Sequence, residues 1–228
     1  ASEARLRETL RDFAPDSLIL GEEGDDNARV MERMRAGEPG WVIDPLDGTR
    51  PFVHGRTGWG ILIAYVAGGR SLAGWMHDPL RGLTACGGPD GAIVREIKHG
   101  RRETTRPLTT RRLPPVNSGT IMDDYGETPS TSLARQRARQ LGWSLDTYEQ
   151  AGIYTAFELL LGRTAFCLCT RMRPWDFLPI AGVLGAAGGC VRPFDCPGYP
   201  IDGEGYTALM ARSPDAAGRF IKAFREPA

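Results

Sequence analysis

Histidine is scarce in this chain of 228 residues: His54, His77 and His99 are all it has, in unrelated contexts. They read as structural or surface residues. Cysteine is neither plentiful nor patterned. Cys86, Cys167, Cys169, Cys190 and Cys196 make an odd number with no Cys-x-x-Cys. That argues against a disulfide framework or a zinc site, and for buried or free thiols in a reducing cytoplasm. Net charge is absent, with 28 basic and 28 acidic side chains, so nothing favours a nucleic acid polymer or an anionic membrane surface as partner. No apolar run approaches the roughly 20 residues of a membrane-spanning helix. No signal-peptide pattern opens the sequence, and it holds no internal repeat and no low-complexity segment.

What is present is an ordinary globular composition, long enough for one large domain or two small ones with a sizeable core. Leu6, Leu10 and Phe13 at helical spacing predict an amphipathic helix over Ser2 to Phe13, ended by Pro15. Leu18 to Leu20 predicts a short strand, and Asp25 to Arg35 a polar helix closed by Gly37 and Pro39. Gly58 to Ala67 and Ser71 to Met76 predict a hairpin around Gly68-Gly69. Gly82 to Cys86 and Ala92 to Ile97 predict further strands. Residues 98 to 115, rich in Arg, Thr and Pro, read as a surface connection between two halves. Beyond them, strands are predicted at Val116 to Met122, Trp143 to Thr147, Ala165 to Cys169, Cys190 to Arg192 and Tyr206 to Ala211. Helices are predicted at Pro129 to Leu141, Gly152 to Leu161, Asp176 to Ala187 and Pro214 to Phe224. The expected division is an α+β half at 1–110 and an α/β half at 111–228, within one compact unit.

The stretch Trp41-Val42-Ile43-Asp44-Pro45-Leu46-Asp47-Gly48-Thr49 stands at the centre. Its apolar start reads as a buried strand running into a tight turn that aims Asp44 and Asp47 at one point. Pro45 stiffens the turn. Gly48 and Thr49 can open a helix, where backbone N–H groups suit a phosphate. Two hard carboxylates beside such a cradle suggest an oxygen-liganded divalent cation, Mg²⁺ first. The plain alternative is a solvated Asp-Pro turn. Two other stretches weigh against it: Gly21-Glu22-Glu23-Gly24 after one apolar run, and Arg173-Pro174-Trp175-Asp176 before a small-residue helix that ends Ala187-Gly188-Gly189.

Glu22-Glu23, then Asp44-Pro45-Leu46-Asp47-Gly48-Thr49, then Trp175-Asp176 with Gly188-Gly189 downstream, together resemble the inositol monophosphatase family of Mg²⁺-dependent, lithium-sensitive phosphatases. The resemblance runs along nearly the whole chain. Haloacid-dehalogenase phosphatases also place Asp, Asp, Gly and Thr after a strand, but with one residue between the aspartates. Here Pro45 and Leu46 intervene, so no covalent aspartyl-phosphate is expected. The resemblance implies a five-layer αβαβα sandwich of the α/β class, two or three Mg²⁺ ions, a homodimer, and a metal-activated water attacking a small phosphate ester. Glu22, Asp44 and the Leu46 carbonyl would hold one ion, and Asp44, Asp47 and Asp176 another. Thr49 would orient the water, and the N–H groups of Gly48 and Thr49 would hold phosphate oxygens. Without cations the four acids would repel one another, which is the physical reason to expect metal. A glycosidase-type carboxylate pair leaves Gly48-Thr49 and the further acids without a role.

The sequence departs from the family pattern in several places. The family carries an aspartate that would fall just before Ala1, so the natural protein is expected to be longer, and Glu3 is not expected to be a ligand. The glutamate that contacts inositol is replaced by Cys169, which makes myo-inositol phosphate a doubtful main substrate or leaves Cys169 as a core residue. Gln150-Ala151-Gly152 matches a turn that contacts substrate, with Gln150 in place of a glycine. Arg171 and Arg173 are either a solvated charge run or a site for an anionic group on the substrate. Pro179 is expected in the first turn of its helix, where proline is tolerated. The alternatives to an inositol phosphate are histidinol phosphate, a sugar bisphosphate or a 3′-phosphoadenosine nucleotide. A catalytically weak, phosphate- or partner-binding protein is the reading from another class.

Overall fold

The computed structural model describes residues 2–97, 103–110, 118–122, 128–140, 142–148, 151–194, 201 and 205–225. Strands β1 (Leu18–Gly21), β2 (Gly40–Asp47), β3 (Gly60–Ala67), β4 (Arg70–Asp78), β5 (Leu83–Gly88), β6 (Gly91–Glu96) and β7 (Thr104–Leu108) form one sheet in chain order. Within it only β1 and β2 run parallel. A second sheet holds β8 (Ser118–Met122), β9 (Ser144–Tyr148), β10 (Phe166–Met172), β11 (Cys190–Pro193) and β12 (Tyr206–Ala211), in the order β11-β12-β10-β8-β9. There β10, β8 and β9 are parallel, and β12 is antiparallel to both of its neighbours. The helices are α1 (Ser2–Phe13), α2 (Asn27–Arg35), α3 (Thr49–Val53), α4 (Pro129–Gln140), α5 (Gly152–Leu160), α6 (Pro174–Ala186) and α7 (Pro214–Arg225).

Alternation along the strands sorts side chains into layers. On β1 and β2, Ile19, Trp41 and Ile43 face α1 and meet Leu6 and Leu10. Leu18, Leu20 and Val42 face the other way, into a core shared with Met34 of α2, Phe157 of α5 and Leu178 of α6. Cys167, Cys169 and Met210 of the second sheet close that core from its far side. Their neighbours Phe166, Leu168 and Leu209 point outward, against Ala134 of α4 and Phe220 of α7. The result is the αβαβα sandwich, with α2, α5 and α6 in the middle layer.

The β3–β4 hairpin turns at Gly68 and Gly69, with φ of +56° and +71°, the pair of left-handed residues that a twisted two-residue turn requires. The small residues of α6 let it lie close on β4: a Cβ on Gly182 would stand 2.8 Å from the Gly74 nitrogen. A buried ionic network also ties the end of β4 to α5. Arg81 bonds Asp78 at 2.6 Å and Glu158 at 3.2 Å, and its guanidinium lies 4.6 Å from the Tyr154 ring centre.

The expected surface connection at 98–115 needs correcting. Thr104–Leu108 is a strand, paired with β6 at the edge of the first sheet. Thr, Arg and Pro look like loop residues, but Pro107 is tolerated on an edge strand and the exposed face accepts polar side chains. Residues 98–102 and 111–117 lie outside the described residues.

Candidate active site

Asp44 and Asp47 do not sit in a tight turn. Strand β2 continues through both, with an irregularity in its pairing to β3: Asp44 lies opposite Leu62 and Asp47 opposite Gly60. Two residues on β2, Pro45 and Leu46, thus stand opposite one on β3, Ile61, which is a β-bulge. In a regular strand residues three apart face opposite sides. The extra residue resets the alternation and puts both carboxylates on the side that faces the middle layer.

Each aspartate is oriented by a backbone N–H. That of Leu46 donates to Asp44 Oδ1 at 2.8 Å, that of Ile153 to Asp47 Oδ2 at 2.6 Å, and that of Arg173 to Asp176 Oδ2 at 2.6 Å. The last bond goes with a correction to the predicted start of that helix at Asp176. Helix α6 starts at Pro174, where proline suits the first helical position, so Asp176 is the third residue and its carboxylate reaches back to the N-cap. Pro179 accordingly falls in the second turn.

Carboxylate oxygens of Asp44, Asp47 and Asp176 lie within 4.8 Å of one another. Glu22, directly after β1, lies close enough to Asp44 for the two carboxyl groups to influence each other's ionisation. All four line one cavity of about 520 Å³ together with Leu46, Gly48, Thr49, Ala151 and Gly152. Crowding shows in their proton affinities. Burial, then the charges of Asp47, Asp176 and Glu22, push Asp44 up to about 10. Burial and Asp47 hold Asp176 well above the ordinary carboxylate range. Burial, then Glu23, raise Glu22, the most open of the four. A cluster of hard oxygen donors that ionises so reluctantly fits a divalent cation such as Mg²⁺, whose charge would reverse the repulsion.

Gly48, with φ of +89°, is the N-cap of α3, and its Cα lies so close to α5 that a Cβ would stand 2.7 Å from that of Ala151. Thr49 is exposed and donates its hydroxyl hydrogen to the Leu46 carbonyl at 3.2 Å, using one of that oxygen's two lone pairs. The N-terminal ends of α5 and α6 reach the same cavity, and helix N-termini favour anions.

The expected substrate contacts divide. Ala151, Arg171 and Arg173 line the cavity. Arg171 is the non-glycine residue with positive φ, +56°, among the described residues, at an irregularity near the end of β10. Cys169 does not line it: it is 0% exposed, with its sulfur 3.3 Å from that of Cys167 and 3.7 Å from Thr155 Oγ1. Strand alternation turns it into the core, in line with the second of the two readings of this position. Gln150 lies outside the described residues. Arg50, from which little consequence was expected, also lines the cavity, as do Met122 and Thr170, which no sequence motif marks. The parallel pairing of β8 with β10 is the signal that would have found the last two, because ligands gather at the carboxyl ends of parallel strands.

An αβαβα sandwich with oxygen donors converging at the inner edge of its first sheet defines an α/β protein with an acidic cluster suited to a cation and a cavity sized for a small molecule. The chain belongs to the inositol monophosphatase family, whose model matches residues 1–227. It is 30% identical over 189 residues to a fructose-1,6-bisphosphatase/inositol-1-monophosphatase of Thermotoga maritima, covering 81% of this chain and 65% of that one. It is 26% identical over 212 residues to a histidinol-phosphatase of Chlorobaculum parvum, covering 90% and 74%. The chain thus spans less than two thirds of the length of the Thermotoga relative. Among solved structures, an inositol monophosphatase of Zymomonas mobilis superimposes with a TM-score of 0.73 at 21% identity, covering 98% of this chain and 81% of the other. An IMPase/NADP phosphatase complexed with Mg²⁺ and phosphate gives 0.75 at 13% identity, covering 99% and 80%.

Proposed function

We propose that the chain is a Mg²⁺-dependent phosphomonoesterase acting on a small phosphate ester. The observation that carries this reading is the convergence of Asp44, Asp47 and Asp176, with Glu22 beside Asp44, in a cavity that also holds Gly48 and Thr49. Glu22, Asp44 and the Leu46 carbonyl would hold one ion, and Asp44, Asp47 and Asp176 a second. Mg²⁺ bound there supplies charge neutralisation at the phosphoryl group and acidifies water.

The remaining work falls to the chain. The N–H groups of Gly48 and Thr49 hold phosphate oxygens, aided by the positive ends of α5 and α6. Thr49, its hydrogen committed to Leu46, keeps lone pairs to accept a hydrogen bond from the attacking water and so aims it in line with the leaving oxygen. A dimer, a cytoplasmic location and the number of ions, two or three, belong to the same reading.

The arginines favour a particular substrate class. Arg50, Arg171 and Arg173 all border the cavity, and guanidinium groups match phosphate or carboxylate bidentately. A phosphate ester with a second anionic group, such as a sugar bisphosphate, fits this better than inositol 1-phosphate. The test is phosphate release, with Mg²⁺ and with EDTA, from inositol 1-phosphate, histidinol phosphate, fructose 1,6-bisphosphate and 3′-phosphoadenosine 5′-phosphate. Metal-dependent release, fastest from a doubly anionic ester, is expected. Silence across the panel while Mg²⁺ still binds would overturn the catalytic reading in favour of a binding protein.

A further inference from the structure

Glu3 is 3% exposed, although it lies in the first turn of a surface helix. Its Oε2 accepts the backbone N–H of Glu23 at 2.8 Å. Its Oε1 accepts Arg7 Nε at 2.7 Å, and Arg7 Nη1 continues to the Ile19 carbonyl at 3.1 Å. A second clamp closes from α2, where Asn27 Nδ2 donates to the Gly21 carbonyl at 2.6 Å. The segment Gly21 to Gly24, itself closed by a bond from the Gly24 nitrogen to the Gly21 carbonyl at 3.2 Å, is therefore held from two helices.

The glycines at its ends serve this grip. A Cβ on Gly21 would run into the Glu3 carboxylate, and one on Gly24 into the Arg7 guanidinium and the Asn27 side chain. Neither position has a positive φ, so the glycines are there for space and not for backbone freedom. Between them stands Glu22, which meets Asp44. Glu23, its neighbour, is the residue whose N–H is fixed.

We propose that the buried Glu3–Arg7 pair is a positioning device for the metal site: it fixes the turn that aims Glu22 at Asp44, without touching the ion. This rests on the reading of Glu22 as a metal ligand. Outer partners of metal ligands typically alter affinity by about 10–100-fold when removed.

The test measures Mg²⁺ affinity by titration calorimetry on folded protein, beside the melting temperature. Glu3→Ala and Gly21→Ala are each expected to weaken Mg²⁺ binding by about tenfold. Glu3→Gln, which keeps an acceptor for the Glu23 N–H, should lose less. Because Glu3 acts through Glu22, Glu3→Ala added to Glu22→Gln should cost no further affinity. A further loss there would make Glu3 a direct ligand and overturn the proposal. So would Mg²⁺ affinity within twofold of wild type in Glu3→Ala and Gly21→Ala when only the melting temperature falls. Should an alanine variant fail to fold, Glu3→Asp, one methylene shorter, takes its place. Asp44→Asn separates the two readings. Loss of Mg²⁺ binding there, with unchanged affinity in the Glu3 variants, removes the positioning role alone, whereas unchanged affinity in Asp44→Asn removes both.

Discussion

Asp47 and Ile153 lie 106 positions apart in the chain, yet the N–H of Ile153 donates to Asp47 Oδ2 at 2.6 Å. The bond ties the bulged end of β2 to the first turn of α5. A carboxylate at a helix N-terminus is stabilised by the helix dipole, so the bond both orients Asp47 and satisfies a donor that α5 leaves without a partner inside the helix.

Gly48→Ala tests how tightly that junction is built. The left-handed φ costs a residue with a Cβ roughly 1–2 kcal/mol, and the added methyl would stand 2.7 Å from the Ala151 Cβ. The urea midpoint should fall with no change in slope, and turnover should fall with it. An unchanged midpoint would show that α3 and α5 can move apart.

Asp44→Asn keeps an acceptor for the Leu46 N–H but removes the negative charge that both ions would share. Mg²⁺ binding should be lost, and kcat should drop by about 1,000-fold or more, because several kcal/mol of metal stabilisation disappears and each 1.36 kcal/mol is a factor of ten. In EDTA at pH 8 the variant should be no less stable than wild type, since the amide is buried without the proton uptake that Asp44, lifted to about 10, requires on folding. Turnover that survived the change would favour a different site.

The metal-free protein should lose stability as pH rises. Asp44 is lifted from 3.8 to about 10, and Asp176 and Glu22 are also raised. A carboxyl group raised by folding contributes its full stability below its unfolded value, and loses it as pH climbs through the folded one. Melting in EDTA should therefore occur at lower temperature at pH 8 than at pH 5, by about 2–4 °C for each kcal/mol lost in a chain of this size. Saturating Mg²⁺ should flatten the dependence, because cation binding displaces the protons. A pH-independent melting temperature in EDTA would contradict the crowding of the acids.

Cys167 and Cys169 are both fully buried. A thiol reagent such as dithionitrobenzoate should leave them untouched in the native protein and label them after denaturation. Cys169→Ala should leave the order of preference among phosphate esters unchanged. A reordered preference would place Cys169 against substrate after all.

Much of the site was legible because its parts are local. Asp44, Asp47, Gly48 and Thr49 fall within six residues, and a strand followed by acids and a glycine is readable by spacing alone. How the two aspartates come to share a face was not legible. A tight turn and a β-bulge at Pro45-Leu46 have the same residues, and only the pairing of β2 with β3 distinguishes them. Cys169 was left open between substrate contact and core for a related reason, because the face a strand residue takes depends on what covers each side of its sheet. The strand at Thr104–Leu108 escaped because edge strands tolerate the polar residues and proline that mark loops.

The sequence by itself determined the alternation of elements, the order of the acidic motifs along the chain and the family they point to, since periodicity, turn chemistry and short spacings are properties of neighbouring residues. Only the tertiary structure decided that Glu22, Asp44, Asp47 and Asp176 meet, that Arg81 bridges Asp78 and Glu158, and that Glu3 grips the turn behind Glu22. Those contacts join distant segments, and their energies depend on burial and distance, which the order of residues does not contain.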